Sequence, residues 1–402
     1  MTMKPLSCGD ADRRSWTATG GGHLADSVVD RFADADWDFV DADPGFNLHP
    51  YPARFVLQLP VLALNLLKPE VGVIDPFCGS GTTLAAASRA GLQSTGVDLN
   101  PIACLISRVR VSSWLEGDDE SAIRHAMALV KAAQCVPADV LEELQATIPR
   151  IDHWFEPWAQ RLLAGAVSYL ATIDPTDCWH DRIALSISST VVRLSRQDSD
   201  TRYAAIEKNL GESNGLALLA ASVKRTSDFL RVQSQEIQGR TSVYNSDARD
   251  LSMLTDESHD AAVFSPPYPN AYEYWLYHKY RMYWLQYDPI AVRESEMGAR
   301  PHYFRSTLPE TEVDFGEQMG EVFAGLARVL RPGSPAVVVV GDSVIRGRSI
   351  DNRELIFDAA ESSGFMPRAA TLRTIRRSRS SFNSNHGRGR NVEHVLLLEK
   401  RP

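Results

Sequence analysis

At 402 residues the chain exceeds what a single hydrophobic core usually serves, so one large elaborated domain or two domains are expected. Its 44% hydrophobic and 23% charged content is that of a soluble enzyme, and no uninterrupted apolar run of about 18 residues offers a membrane span. The net charge of −9 is uneven: from Arg368 to Pro402 there are nine Lys or Arg against two Glu, a local +7, which leaves −9 − 7 = −16 on residues 1–367. An acidic body with a basic end confines any polyanion contact to one face.

The opening "MTMKPLSCGDADRRSW" lacks the apolar segment of a signal peptide. Residues 1–48 read as an N-terminal extension, loosely ordered at its start. Cys8, Cys78, Cys104, Cys135 and Cys178 show neither CxxC nor metal-ligand spacing, so reduced thiols in a cytoplasmic protein without a metal are expected. Short β-rich runs then recur: "VGVIDPF" (71–77), "QSTGVDL" (93–99), "TSVYNSD" (241–247), "DAAVFSP" (260–266), "PAVVVVGD" (335–342), "MPRAATLRTI" (366–375) and "NVEHVLLLEK" (391–400). Helical patterns at 82–90, 271–286 and 315–330 separate several of them. Apolar strands alternating with helices indicate a doubly wound, Rossmann-like parallel sheet. The last two runs lack an intervening helix and predict an antiparallel hairpin. Residues 113–240 are helical by pattern and far longer than a crossover needs, so they read as a helical insertion.

"VIDPFCGSGTTLAAASRAG" reads as strand, glycine turn and helix. Gly79 and Gly81 would let backbone approach a ligand, and Thr82 or Thr83 would cap the helix. Asp98 ends the next strand, where a carboxylate can take a ribose diol. Gly-x-Gly alone is a common turn; Asp75 before it and Asp98 after it make it a ligand cradle. The absence of GKS/T and of a third glycine favours a nucleoside cofactor without a pyrophosphate.

"DPFCGSGTT…GVDLNP" followed by "SPPY" resembles the amino-DNA methyltransferases that use S-adenosylmethionine, over about 49–110 and 241–400. The resemblance implies a seven-stranded sheet with an antiparallel last strand, built from 49–112 and 241–402. It implies that "NLHPYPARFVLQLPVLALNLL", with His49, Tyr51 and Pro52, folds over the methionine part of the cofactor. Asp75, Phe77, Gly79, Gly81, Thr82, Asp98 and Leu99 would hold the cofactor, and Asp247 of "NSDARDL" would lie against its adenine. DNA is the implied partner, in a prokaryotic restriction–modification or epigenetic setting with a restriction nuclease or defence-system partner, and the 113–240 insertion would then serve target recognition or duplex opening, apart from the cofactor pocket.

The corner "SPPY" then has a chemical reading. An exocyclic amine is a poor nucleophile because its lone pair is delocalised into the ring. Ser265 Oγ and the Pro266 carbonyl could accept the amino hydrogens and free that lone pair, with Pro267 holding the corner rigid. Tyr268 would stack on a flipped base, a contact worth about 1–3 kcal/mol. Ser in first position resembles cytosine-N4 enzymes more than adenine-N6 ones; an RNA guanine-N2 enzyme and a catalytically silent DNA-binding subunit are the remaining alternatives. Carbon-5 methylation needs a thiolate, and no Pro-Cys dipeptide is present. Arg373, Arg376, Arg377, Arg379, Arg388 and Arg390 crowd the last hairpin and are expected to contact phosphates. The Tyr- and Trp-rich stretch 270–287 is read mainly as helix packing, and His153, His180 and His278 as structural.

Overall fold

The computed structural model describes residues 24–39, 48–52, 55–200, 202–233, 236–269, 273–299, 302–303, 310–374 and 392–402. Seven strands make the main sheet: β1 (Val73–Asp75), β2 (Ser94–Asp98), β3 (Thr241–Asn245), β4 (Ala261–Phe264), β5 (Pro335–Gly341), β6 (Phe365–Thr374) and β7 (Val392–Lys400). Their order is β6-β7-β5-β4-β1-β2-β3. The pairs from β5 through β3 are parallel, and β7 runs antiparallel between β5 and β6. This is the doubly wound sheet with an antiparallel last strand that the sequence led us to expect. The order reverses between β1 and β4, and a crevice at the carboxyl ends of strands is where such sheets bind ligands.

The period of two along each strand sorts the apolar side chains into two layers. Ile74, Val97, Ala262, Phe264, Val338 and Val340 share one buried cluster with Phe315, Met319, Phe323, Ile356 and Phe357. The last five come from α13 (Glu312–Val329) and α14 (Asn352–Ser362). Val73, Val263, Val337, Val339, Val395 and Leu397 face the other way, onto Leu59, Ala63, Ala86 and Ala87 of α2 (Gln58–Leu67) and α3 (Thr82–Arg89). Phe32 of α1 (Asp26–Asp34) and Trp37 are buried in that second layer. Buried Arg368 of β6 ties α1 down through Asp26 at 3.1 Å and also meets Glu399. Part of the polar N-terminal extension is therefore built into the sheet; its first 23 residues lie outside the described ones.

Between β2 and β3 the chain forms α4 (Pro101–Arg110), then α5 (Asp118–Gln134), α6 (Ala138–Thr147), α7 (Ile151–Trp154), α8 (Pro157–Leu170), α9 (Cys178–Leu194) and α10 (Glu212–Gln233). A two-stranded hairpin, Gln197–Ser199 with Arg202–Ala205, interrupts the helices. This region has no core of its own. Leu129, Leu163, Ile183, Val191 and Leu219 belong to the same buried cluster as Ile102, Leu105 and Ile106 of α4. Trp275, Tyr280 and Trp284 of α11 (Tyr274–Trp284) complete that cluster. The aromatic stretch after the Ser-Pro-Pro-Tyr corner thus packs chiefly into the core.

Candidate active site

The glycine turn is fixed from both ends. Asp98 accepts the Gly79 amide on one carboxylate oxygen and the Asn100 amide on the other, both at 2.8 Å. From α4, Ser107 donates to the Gly79 carbonyl at 2.9 Å and buried Arg110 donates to the Ser80 carbonyl at 2.6 Å. Gly79 and Gly81 both have positive φ, +51° and +79°, which side chains resist. A Cβ on Gly81 would come within 2.8 Å of Ser107 Oγ, so tight packing on α4 demands this glycine rather than a ligand. Gly81 is the N-cap of α3, with no side-chain capping bond, and Thr82 is the first helical residue. The expected threonine cap is absent because the glycine itself takes the non-helical position.

Asp75 is buried and accepts the Phe77 amide at 3.0 Å. Burial raises its pKa to about 7 and that of Asp98 to about 6, against the pull of their amide donors. Phe77 packs on Phe264 of β4 with ring centroids 5.9 Å apart, and half-buried Leu99 offers its carbonyl to Asn245 at 2.9 Å.

The stretch before α2 closes over this turn. A Cβ on Gly79 would lie 3.3 Å from the Tyr51 ring, which stacks at 5.3 Å on His278 and at 5.9 Å on Tyr274. His49 is buried, with Nδ1 2.8 Å from the Pro50 carbonyl and Nε2 3.0 Å from Ser188 Oγ of α9. Burial, helped by the nearby Arg281 charge, lowers its pKa to about 3. Pro52 is buried beside it in sequence. Arg281 also donates to the Ser188 carbonyl at 3.1 Å and pairs with Asp200. The helical region therefore buttresses the lid of the pocket, which corrects the expectation that it stands apart from it.

At the end of β4, the Ser265 hydroxyl donates to the Val339 carbonyl at 2.9 Å. Pro266 is buried, and Pro267 and Tyr268 are half-buried. The Tyr268 ring lies against the end of β5, where a Cβ on Gly341 would come within 2.9 Å of it. Its hydroxyl donates to Glu393 Oε1 at 2.9 Å, and Glu393 Oε2 lies 3.3 Å from Arg373 Nη1. Arg373 is buried at 3% exposure, so it corrects the phosphate expectation: across the β6–β7 pair it serves Glu393. Arg376, Arg377, Arg379, Arg388 and Arg390 lie outside the described residues. Asp247 is held in a bidentate pair by Arg249, at 2.9 and 2.5 Å.

The sequence reading missed Ser107, Arg110, Glu296 and Glu393. Glu296 is buried and accepts the Trp275 amide at 3.1 Å on Oε1; the Tyr274 amide also serves its carboxyl, while Oε2 makes no well-aligned hydrogen bond among the described residues. Burial, with Glu273 and Asp98 nearby, pushes its carboxyl well above the usual range. Asp98 lies within electrostatic reach of both Asp75 and Glu296, and none of the three is paired with Lys, Arg or His among the described residues.

Fold and site together set the Asp98-held glycine turn and the Ser-Pro-Pro-Tyr corner at the carboxyl ends of neighbouring strands of a doubly wound sheet. Residues 37–108 match the model of the DNA methylase family, supporting the amino-DNA methyltransferase resemblance on the cradle side; the corner lies outside that match. The type II methyltransferase M.MjaII of Methanocaldococcus jannaschii is 39% identical over 72 residues, 17% of this chain and 13% of its own. The type II methyltransferase M.MvaI of Kocuria varians is 30% identical over 119 residues, 27% of this chain and 25% of its own. The match thus spans a quarter or less of either curated relative. Among solved structures, a SAM-dependent methyltransferase of Methanosarcina mazei aligns with 88% of this chain and 99% of its own, at 13% identity and a TM-score of 0.31. TrmN of Thermus thermophilus aligns with 89% and 52%, at 14% identity and a TM-score of 0.33. No helix among the described residues is long and apolar enough to cross a membrane.

Proposed function

We propose that this protein is an S-adenosylmethionine-dependent DNA methyltransferase acting on an exocyclic amine, cytosine N4, of a flipped base. One observation carries the chemistry: the Ser265 hydroxyl has its proton committed to the Val339 carbonyl. With that proton used, Ser265, which also neighbours the Tyr268 side chain, would meet an amine as an acceptor. Together with the Pro266 carbonyl it would take the two amino hydrogens of the target and return the nitrogen lone pair to nitrogen. Such a site works by orientation and needs no covalent intermediate.

The cradle suits the cofactor. Its buried acids have no cationic partner among the described residues, and the backbone turns with positive φ at Gly79. Asp98 would take the ribose hydroxyls, Asp75 and Phe77 the methionine side, and Asp247 with Leu99 the adenine side, while His49, Tyr51 and Pro52 close the lid. S-adenosylmethionine, when bound, supplies a sulfonium methyl whose C–S electron pair stays on sulfur as the amine nitrogen bonds the carbon. The methylated amine then sheds one proton to water. Tyr268 would stack on the flipped base, and the arginines of 376–390 would hold the phosphates. Serine rather than Asp or Asn at the corner supports cytosine N4. The relatives named as type II methyltransferases support a restriction–modification setting, in which a nuclease partner would be expected.

The test is transfer of tritiated methyl from S-adenosylmethionine to duplex DNA and to RNA, with product nucleosides identified by mass spectrometry. We expect N4-methylcytosine from DNA, and a single-turnover rate lowered about 10- to 1000-fold by Ser265→Ala. N6-methyladenine would overturn the choice of base, and label in RNA alone would overturn the DNA reading.

A further inference from the structure

We propose that Glu296 reads the positive charge at the sulfur of the methyl donor, so that the pocket holds the donor more tightly than the product with neutral sulfur. The inference rests on the proposed function and deepens it. Glu296 lies in the stretch that follows α12 (Pro289–Ser295) and bridges both halves of the crevice. On one side, Arg249, the partner of Asp247, donates to the Ser295 carbonyl at 3.2 Å. On the other, a Cβ on Gly298 would come within 2.8 Å of the Tyr268 carbonyl and 3.5 Å of that of Pro267. Between these anchors the Glu296 carboxyl feels the charge of Asp98 and is itself felt by Tyr51, the ring that lies over Gly79. The space bounded by the turn, Asp98 and the corner is where a methyl must pass from donor to base.

Half of this carboxyl has a structural duty. Oε1 accepts the Trp275 amide in the first turn of α11, where an anion is favoured. The Tyr274 amide also serves the carboxyl, but buried Oε2 makes no well-aligned hydrogen bond among the described residues, and an under-satisfied buried carboxylate is costly. Asp98 is a further acid, not a counter-charge, and no Lys, Arg or His pairs with Glu296 among the described residues. A cation arriving in the crevice would complete the set. Once the methyl has left, the sulfur is neutral and the attraction ends, which favours product release.

Calorimetric affinities at one pH for S-adenosylmethionine, sinefungin and S-adenosylhomocysteine test this. Sinefungin carries an amine cation where the sulfonium methyl stands; S-adenosylhomocysteine has a neutral thioether there but keeps the amino-acid charges. Glu296→Gln retains an acceptor for the Trp275 amide, and its melting temperature reports whether the fold is intact. The expected result is a loss of about tenfold or more for the first two ligands with the third nearly unchanged. Equal losses for all three would assign Glu296 to the common amino-acid part or to the fold, and no loss would remove it from the site; either overturns the inference. A wild-type chain that binds none of the three would overturn the proposed function with it.

Discussion

The glycine turn and the helical region after α4 are held by opposite means. In the turn, Asp98 reaches the Gly79 amide only 19 residues back along the chain. In the helical region, Ser188 reaches His49 across 139 residues and Arg281 across 93. The first is a local device that can be written as a motif. The second is a tertiary brace, and the pocket needs both, because the lid over the turn is held by α9.

The sharpest way to break this comparison is to excise 113–240 behind a Gly/Ser bridge. Ile102, Leu105, Ile106 and Trp284 would lose their cover, each costing about 1.5–3 kcal/mol. That sum rivals the usual 5–15 kcal/mol stability of a whole protein. Buried His49 would lose Ser188 as well. We expect loss of cooperative unfolding and of S-adenosylmethionine binding. A truncated chain that melts sharply and binds the cofactor like the intact one would make the region an appendage after all.

Within the local half, Asp98→Ala should weaken S-adenosylmethionine binding by about 2–4 kcal/mol. The loss has two parts, the ribose acceptor and the two amides that Asp98 holds in place. Calorimetry on the folded variant decides it: an unchanged affinity would remove Asp98 from the pocket.

The same contrast explains what could be read from the sequence. Asp75, Gly79, Gly81 and Asp98 fall within one strand–turn–helix–strand unit, so spacing alone suggested a cradle. The central runs revealed the sheet because buried strands are apolar on both faces, whereas the edge strand Thr241–Asn245 is largely exposed and polar. Glu296 could not be found that way: it is an ordinary acid in "RESEMGAR" until α12 folds and carries it beneath α11. Ser107 and Arg110 lie one helical turn apart on α4, but nothing in a helix marks which turn of a distant loop it will grip. Arg373 was misread for a related reason. In sequence it belongs to an arginine-rich hairpin, and only the β6–β7 register sets it opposite Glu393.

A smaller effect follows from burial at Asp75. Its folded pKa of about 7 exceeds the usual carboxylate value, so the unfolded chain loses its proton first as pH rises. The carboxyl's favourable share of stability is complete below pH 4 and is lost as pH climbs to about 7. Buried His49 acts in the opposite direction below pH 6.5, so the useful quantity is the difference between variants. Without ligand, Asp75→Asn should melt a few degrees above wild type at pH 8, with the gap shrinking towards pH 5. A gap independent of pH would show that Asp75 is not the titrating group.

The smallest expected effect concerns the far wall of the corner, which is braced across long range like the lid. Tyr268 donates to Glu393, Glu393 meets Arg373, and the ring rests on Gly341. If the ring face is what the corner presents, the chain Arg373–Glu393–Tyr268 only aims it. Tyr268→Phe then loses one hydrogen bond and should reduce capture of the flipped base by about tenfold or less. Tyr268→Ala removes the stacking surface itself and should cost more. Glu393→Gln leaves an acceptor for the hydroxyl and should resemble Tyr268→Phe or be milder. Fluorescence of 2-aminopurine at the target reports capture, and single-turnover rates on saturating DNA report chemistry. Capture impaired equally by Tyr268→Phe and Tyr268→Ala would mean that the hydroxyl, not the ring, meets the base. Glu393 would then compete with substrate for that hydroxyl rather than orient it, and Glu393→Gln should raise capture instead of lowering it.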